Sequence, residues 1–202
     1  MLGLNPRSIF AETIFTRRVL VMSSAYIKAM HPKTEILPEP EAISRILNNG
    51  WVGQLKIHGH RAQIHIPADP DEALIAYTRQ GKRHSLALPV PMIKELCRLF
   101  RPETGWNVID AEWLKSKKKL FIFDFLKQEG TVLRSKTFPE RFDLLPRAFL
   151  SPHLSVLPLL RDLPSCLKAI GAKAPHIEGL VFKSTRSTGF SDTSVVRCRK
   201  RK

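Results

Sequence analysis

Six consecutive residues, Lys56-Ile57-His58-Gly59-His60-Arg61, constrain this chain more than any other stretch. Val52, Leu55 and Ile57 precede the glycine, and Ala62, Ile64 and Ile66 follow it on every second position. A period of two is the mark of a strand with one buried face. The pattern predicts a tight strand–turn–strand with an amine, Lys56, and a guanidinium, Arg61, at the same end of a sheet.

The chain has 202 residues, enough for one generous domain, and 43% of them are hydrophobic, so a buried core is expected. No stretch approaches the run of about 20 apolar residues that spans a membrane. The formal net charge is +15. The segment from Arg197 to Lys202 carries five of those charges, so ten remain elsewhere and the excess is not a tail effect. A body this basic is expected to meet polyanions, with nucleic acid ahead of an acidic membrane surface. Cys97, Cys166 and Cys198 form no C-x-x-C pair and leave an odd thiol, which fits a reducing cytoplasm and neither a disulfide framework nor a zinc ribbon. Among seven scattered histidines only His58 and His60 fall where they could share a strand face, too few for zinc. Residues 1–21 read as an N-terminal arm. Arg7, Arg17 and Arg18 set against Glu12 also fit an arginine-rich organellar presequence.

Further along, Pro32 to Pro40 reads as an extended connector, and Glu41 to Asn49 as a short helix stopped by Gly50. Pro67 to Asp71 is a turn cluster, Leu74 to Thr78 a strand, and Arg79 to Lys82 the turn leaving it. Val90 to Phe100 sets Ile93, Leu96, Cys97 and Phe100 at helical spacing. Trp106 to Leu114 and Leu120 to Phe125 read as strands joined by a basic tip, Lys115-Ser116-Lys117-Lys118. Pro139 to Phe149 and Pro164 to Ile170 look helical, and Gly179 to Phe182 and Thr193 to Cys198 close the chain as strands. The sum is an α+β domain of mostly antiparallel sheets flanked by helices.

Five segments, in order, resemble the motifs of the covalent nucleotidyltransferases, the superfamily of ATP-dependent DNA ligases, RNA ligases and mRNA-capping enzymes. Lys56 to Arg61 resembles the nucleophile motif K-x-D-G-x-R, with His58 where DNA ligases usually carry Asp and one group of RNA ligases carries His. Thr78-Arg79-Gln80-Gly81 resembles the S/T-R-x-G turn, whose arginine is implied to hold the 5′-phosphate of a nick or the AMP phosphate. Asp110-Ala111-Glu112-Trp113-Leu114 resembles D-G-E-L, with alanine in place of glycine. Strand alternation puts Asp110 and Glu112 on one face. Glu112 is implied to touch the AMP ribose or help hold a metal. Leu120 to Asp124 resembles the aromatic strand y-x-x-F-D, which implies Phe123 against the adenine ring. Phe121, Phe123 and Phe125 also fit plain core packing. Ile177 to Lys183 resembles E-G-[LV]-V-x-K, implying that Glu178 coordinates metal or positions water and Lys183 steadies phosphate oxygens. For a last motif, W-x-K-x-K, two pairs are candidates: Arg197 with Arg199, or Lys200 with Lys202. Arginine there exchanges a compact ammonium for a planar fork.

The resemblance implies an ATP-grasp-like nucleotidyltransferase domain over residues 22–199, followed by a basic tail, 200–202. Ligases and capping enzymes normally continue into an oligonucleotide-binding domain; none is expected within these residues, and a protein that supplies one is a candidate partner. Lys56 becomes the nucleophile, with Gln54 and Leu55 beside it at the nucleotide. A lysine attacks phosphorus only as the free amine, so its ordinary pKa of about 10.4 has to fall through burial and neighbouring cations. The implied reaction is adenylylation by ATP with Mg²⁺ or Mn²⁺ at Glu178 and Glu112, then sealing of a 5′-phosphate/3′-hydroxyl nick in duplex DNA by a monomer. Arg61, the Thr78 turn and Phe123-Asp124 lean toward DNA, and His58 toward RNA. A relative that binds nucleic acid without catalysis is the reading from another class.

Overall fold

Two sheets lie face to face in the computed structural model, which describes residues 24–85, 88–146 and 151–200. The expected arm over residues 1–21 and Lys202 lie outside the described residues. The strands, in chain order, are β1 (Thr34–Ile36), β2 (Trp51–Ile57), β3 (His60–Pro67), β4 (Ile75–Tyr77), β5 (Trp106–Leu114), β6 (Lys119–Gln128), β7 (Thr131–Val132), β8 (Leu154–Val156), β9 (Ile177–Ser184) and β10 (Val195–Arg199). The smaller sheet runs β1-β10-β9-β2, and the larger β4-β3-β5-β6-β7, with β8 also on β6. Pairing is antiparallel apart from β1 on β10 and β8 on β6.

The strands flanking Gly59 do not form the expected hairpin. β2 pairs with β9 and β3 with β5, so the chain leaves one sheet and enters the other across His58 and Gly59. Lys56 and Arg61 therefore belong to different sheets. A hairpin would need the two strands to share hydrogen bonds, and here each spends them on a strand far away in sequence. Gly59 is required by close approach, because a Cβ there would sit 2.5 Å from the Trp113 carbonyl oxygen.

Helices cover the outer faces: α1 (Pro40–Asn48), α2 (Val90–Phe100), α3 (Phe138–Phe142) and α4 (Leu163–Gly171). Each has proline in its first turn, where a missing N–H costs nothing. α2 buries Met92, Leu96 and Phe100 against Ile64, Ile109 and Ile122 of the larger sheet. Ile43 of α1 and Cys166 of α4 pack on Leu180, Phe182 and Cys198 of the smaller one. The helix expected from Pro139 to Phe149 is shorter. It starts at a capping box between Thr137 and Glu140 and ends at Phe142, and residues 147–149 lie outside the described set. The tip between β5 and β6 is one turn of 3₁₀ helix with Lys118 left-handed at φ 46°. β1, β7 and β8 were not expected from the sequence. Among the described residues no helix is long and apolar enough to cross a membrane.

With each outer face buried under helices, the two inner faces enclose a cleft. The tightest packing point behind it is Gly179, where a Cβ would lie 2.0 Å from the Cys198 carbonyl oxygen. Gly179→Ala is expected to cost at least about 2 kcal/mol in urea unfolding. Gly171→Ala, which meets nothing within 4 Å, is expected to be close to neutral. Equal midpoints for the two variants would contradict this packing.

Candidate active site

The cleft holds about 530 Å³, and its walls take residues from both sheets, from the turn after β4 and from the segment before β1. Two β-bulges decide which side chains reach it. On β9 the register slips so that Lys56 opposes Gly179 while Ile57 opposes Ile177, leaving Glu178 as the extra residue. Leu180 and Phe182 point to the outer core, and strict alternation would send Glu178 with them. The bulge turns it inward, to Lys56. On β6, Asp110 opposes Asp124 while Ala111 opposes Ile122, so Phe123 is the extra residue. Phe123 and Asp124 then both line the cleft, and Phe125 goes to the core. Phe123 and Phe125 thus take the two roles their sequence allowed, and Phe121, half-buried, takes neither.

Nine of the residues singled out from the sequence line this one cleft: Gln54, Leu55 and Lys56 from β2, Arg61 from β3, Arg79 from the turn after β4, Glu112 and Phe123 from the larger sheet, and Glu178 and Lys183 from β9. The Lys56 amine pairs with Glu178, and the His58 ring nitrogen Nδ1 bonds the other oxygen of the same carboxylate. Burial works against the Glu178 charge, but the bonds from Lys56 and His58 prevail and hold the acid below its ordinary range. Arg61 grips Asp110 through two nitrogens and donates its third contact, at 2.6 Å, to the Met30 carbonyl.

Arg197 and Arg199 are not among the cleft-lining residues. Both donate to Glu35 on β1, at 2.8–2.9 Å, and that double clamp brings the Glu35 carboxyl down to about 2, with the Arg199 bond the largest cause. Lys200 follows β10, with its N–H on the Glu178 carbonyl and its amine on that of Ala172.

Below Phe123 lies an ionic cluster that only partly showed in the sequence. Arg141, fully buried, forks onto both oxygens of Asp124 at 3.0 Å and also reaches the Lys136 and Gly189 carbonyls. Lys183 lies 4.0 Å from Asp124, donates to the Phe123 carbonyl, and rests on the rings of Phe123 and Phe138 at 4.8 and 4.1 Å. Its burial lowers the ammonium pKa to about 8 against the pull of Asp124. Nothing in the residue pattern marks Arg141 as the partner of Asp124, although Thr137-x-x-Glu140 marks the helix that carries it.

Residues 24–33 form a strap that ties the site together. The Gln63 amide reads both backbone groups of Ile27, at 2.8 and 2.9 Å, and His65 bonds the same amide. Burial lowers the His65 pKa to about 3, so that ring is neutral. Tyr26 donates to the Arg79 carbonyl at 2.7 Å and packs against Gly81, fixing the Thr78 turn. On the far side Asp192 accepts from the His31 N–H and pairs with Lys33. Met30, His31 and Pro32 then wall the cleft.

Among the described residues, three buried polar atoms of cleft residues have no hydrogen-bond partner: Gln54 Oε1, Thr78 Oγ1 and His84 Nδ1. Buried polar atoms are normally paired, so these three stand out in the cleft wall. With four cations, two partly buried carboxylates and an aromatic ring, the donor set suits a nucleotide phosphate and base. Among the described residues no three His, Cys, Asp or Glu side chains converge as a ready metal site. A cation held by Glu112 and Glu178 would need phosphate oxygens to complete its shell.

The fold is similar to that of solved ligases. The ligase domain of LigD from M. tuberculosis matches with a TM-score of 0.54 and 18% identity, over 74% of this chain and 54% of that one. Mycobacterial DNA ligase D, complexed with ATP and MES, matches at 0.51 and 17%, with the same coverage of both chains. Pmar-Lig_PreS3 matches at 0.50 and 14%, over 86% of this chain and 47% of that one. The chain therefore has the nucleotidyltransferase fold of ATP-dependent DNA ligase domains. It spans about half the length of the structures it matches. No family model matches the sequence, and no curated protein does.

Glu112 offers a test of the cleft's electrostatics. Burial pushes its carboxyl up to about 7, against the pull of Arg61. Between about pH 4.5 and 7 the folded state keeps a proton that the unfolded chain has released, so this group's stabilisation fades as pH rises through that window. Glu112→Gln removes the dependence. Its stability relative to the parent is expected to rise across the window by up to roughly 3 kcal/mol. Urea unfolding on both sides of the window measures this, and parallel pH profiles for the two proteins would contradict it.

Proposed function

We propose that this protein is an ATP-dependent polynucleotide ligase acting through a covalent lysyl–AMP, with nicked duplex DNA as its substrate. The observation that carries the reading is the Lys56 amine, held by Glu178 at the meeting of the two sheets in a cationic cleft, within a ligase fold. Lys56 Nζ attacks the α-phosphorus of ATP, a P–N bond forms, and the P–O bond to pyrophosphate breaks. Glu178, already bonded to the amine, accepts its proton. The bonds from Lys56 and His58 favour the ionised form of that acid. A 5′-phosphorylated end then takes the AMP, and a 3′-hydroxyl displaces it to seal the strand.

Arg61 is fixed by Asp110 and Met30 and so contributes a pre-set charge, which costs no reorganisation when phosphate arrives. Lys183 supports the phosphates from the cleft floor. Gln54, with Oε1 unpaired beside the nucleophile, fits an adenine amino group, and Phe123 offers a flat face in the same cleft. Mg²⁺ or Mn²⁺ at Glu112 and Glu178 would neutralise charge developing on the phosphates. ATP as the nucleotide is supported by the ATP complex of the mycobacterial ligase with this fold.

One observation favours an RNA-joining reading. His58, the residue that departs from the usual DNA-ligase motif, bonds Glu178 and so belongs to the site itself. Sealing of DNA and RNA nicks on a common template, side by side, decides the sugar.

Lys56→Ala is expected to abolish covalent labelling by α-labelled ATP while pre-adenylylated nicks are still sealed, since that step bypasses the amine. Label retained on the variant would overturn the assignment. Arg79→Ala is expected to lower sealing about tenfold or more while changing duplex binding little, because one side chain is a small share of a broad basic surface. Equal losses in gel-shift and sealing assays would remove Arg79 from the 5′-phosphate site.

A further inference from the structure

Next to the cleft, and outside its lining, two aromatic rings, one on β6 and one just before β9, meet among lysines. Arg61, Glu112 and Phe121 stand in register across β3, β5 and β6, so Phe121 is the next position in the row that carries two cleft residues. Facing it is His176, which precedes β9. The ring centroids are 6.2 Å apart, the planes 28° from parallel, and both residues are partly exposed. Lys119 Nζ lies 5.8 Å from the Phe121 centroid. Lys115, Lys117 and Lys118 form the exposed tip just before it. Lys200 is near enough, with Lys117, to add to burial in lowering the His176 pKa.

Two features separate this pair from ordinary packing. His176 Nδ1 is buried and, among the described residues, has no hydrogen-bond partner. The His176 carbonyl accepts from the His58 N–H at 2.8 Å, so the platform is attached to the turn that follows the nucleophile. A flat aromatic surface flanked by cations is the combination that holds unpaired nucleotides: bases stack on the rings and phosphates meet the lysines. Of the acids near it, Glu178 is engaged by Lys56 and His58 and Glu95 by Ser151, while Glu112 stands opposite Phe121 on β5 with its charge disfavoured by burial.

We propose that Phe121 and His176 form a stacking platform for an unpaired nucleobase of the strand delivered to the cleft, with the exposed Lys117 and Lys118 holding its adjoining phosphates while the Lys119 amine is kept by the Ser151 carbonyl. This rests on the reading that the cleft acts on polynucleotide ends. It gives that reading a substrate preference, for ends with a splayed or single-stranded nucleotide over a fully paired nick.

Fluorescence anisotropy with short labelled strands, in DNA and in RNA and without ATP, tests it independently of any covalent chemistry. Phe121→Leu keeps apolar volume between the sheets but removes the stacking face. It is expected to weaken single-strand binding about tenfold, with an unchanged thermal midpoint and an unchanged slope of log affinity against log salt. Phe121→Tyr restores the affinity. Lys117→Ala instead lowers the salt slope, since it removes a phosphate contact. A strand made abasic throughout should bind wild type and Phe121→Leu alike. Wild-type affinity in Phe121→Leu, or a loss that Phe121→Tyr fails to restore, would overturn the platform. Missing AMP label on the wild-type protein would instead count against the ligase reading, leaving the stacking result standing.

Discussion

Everything in the cleft depends on the chain changing sheets within two residues. Because β2 hands over to β3 across His58 and Gly59, a nucleophile-like amine and a fixed guanidinium approach one space from opposite walls. The crossing is possible only because Gly59 lets the backbone come within contact of Trp113. A second glycine, Gly179, does the same where β9 lies against β10, and its neighbour is the bulged Glu178. Backbone proximity, bulge and the inward-facing acid are thus one local solution, made twice over by residues that carry no side chain.

Charge in the cleft is arranged on two levels. Deep down, Arg61 with Asp110 and Arg141 with Asp124 are buried pairs with several hydrogen bonds each. Such pairs add little net stability over apolar packing, yet losing one partner costs about 3–5 kcal/mol, so they enforce a single arrangement. Their geometry fixes Phe123 between Arg61 and Lys183, at 5.7 and 4.8 Å from its ring. Nearer the opening, Lys56 and Glu178 are each about a quarter exposed, and a pair of that kind exchanges partners at lower cost.

The elements were legible where one face is apolar and the other is not. α1, α2, α4, β5 and β9 fall within a few residues of their expected bounds because helical or alternating spacing survives in them. Pairing was not legible. Lys56-to-Arg61 looks like a hairpin because a glycine between two alternating runs carries no information about which strand each run will join. The bulges were hidden for a related reason: period two assigns faces only while the register is unbroken, and at Glu178 and Phe123 it breaks. Nor does sequence spacing reveal that Glu35 on β1 holds Arg197 and Arg199, since that strand is three residues long and pairs across most of the chain. The residue types around the cleft were readable as a motif series; their contacts were not.

The partners of the cleft cations set an order in which an incoming anion can be met. Among the described residues Arg79 makes no ion pair, stands exposed, and has its backbone pinned by Tyr26, so its charge is available at once. Lys56 becomes available only as Glu178 turns to other partners. Arg61 and Lys183 stay where Asp110 and Asp124 hold them and act through fixed charge. Arg197 and Arg199 lie outside the cleft lining, both held on Glu35. Under the proposed reading a ligand with several phosphates is favoured over a single anion, because Arg79 meets it without an ion pair to break, Lys56 leaves a carboxylate that the ligand or its metal can compensate, and Arg61 and Lys183 add fixed charge.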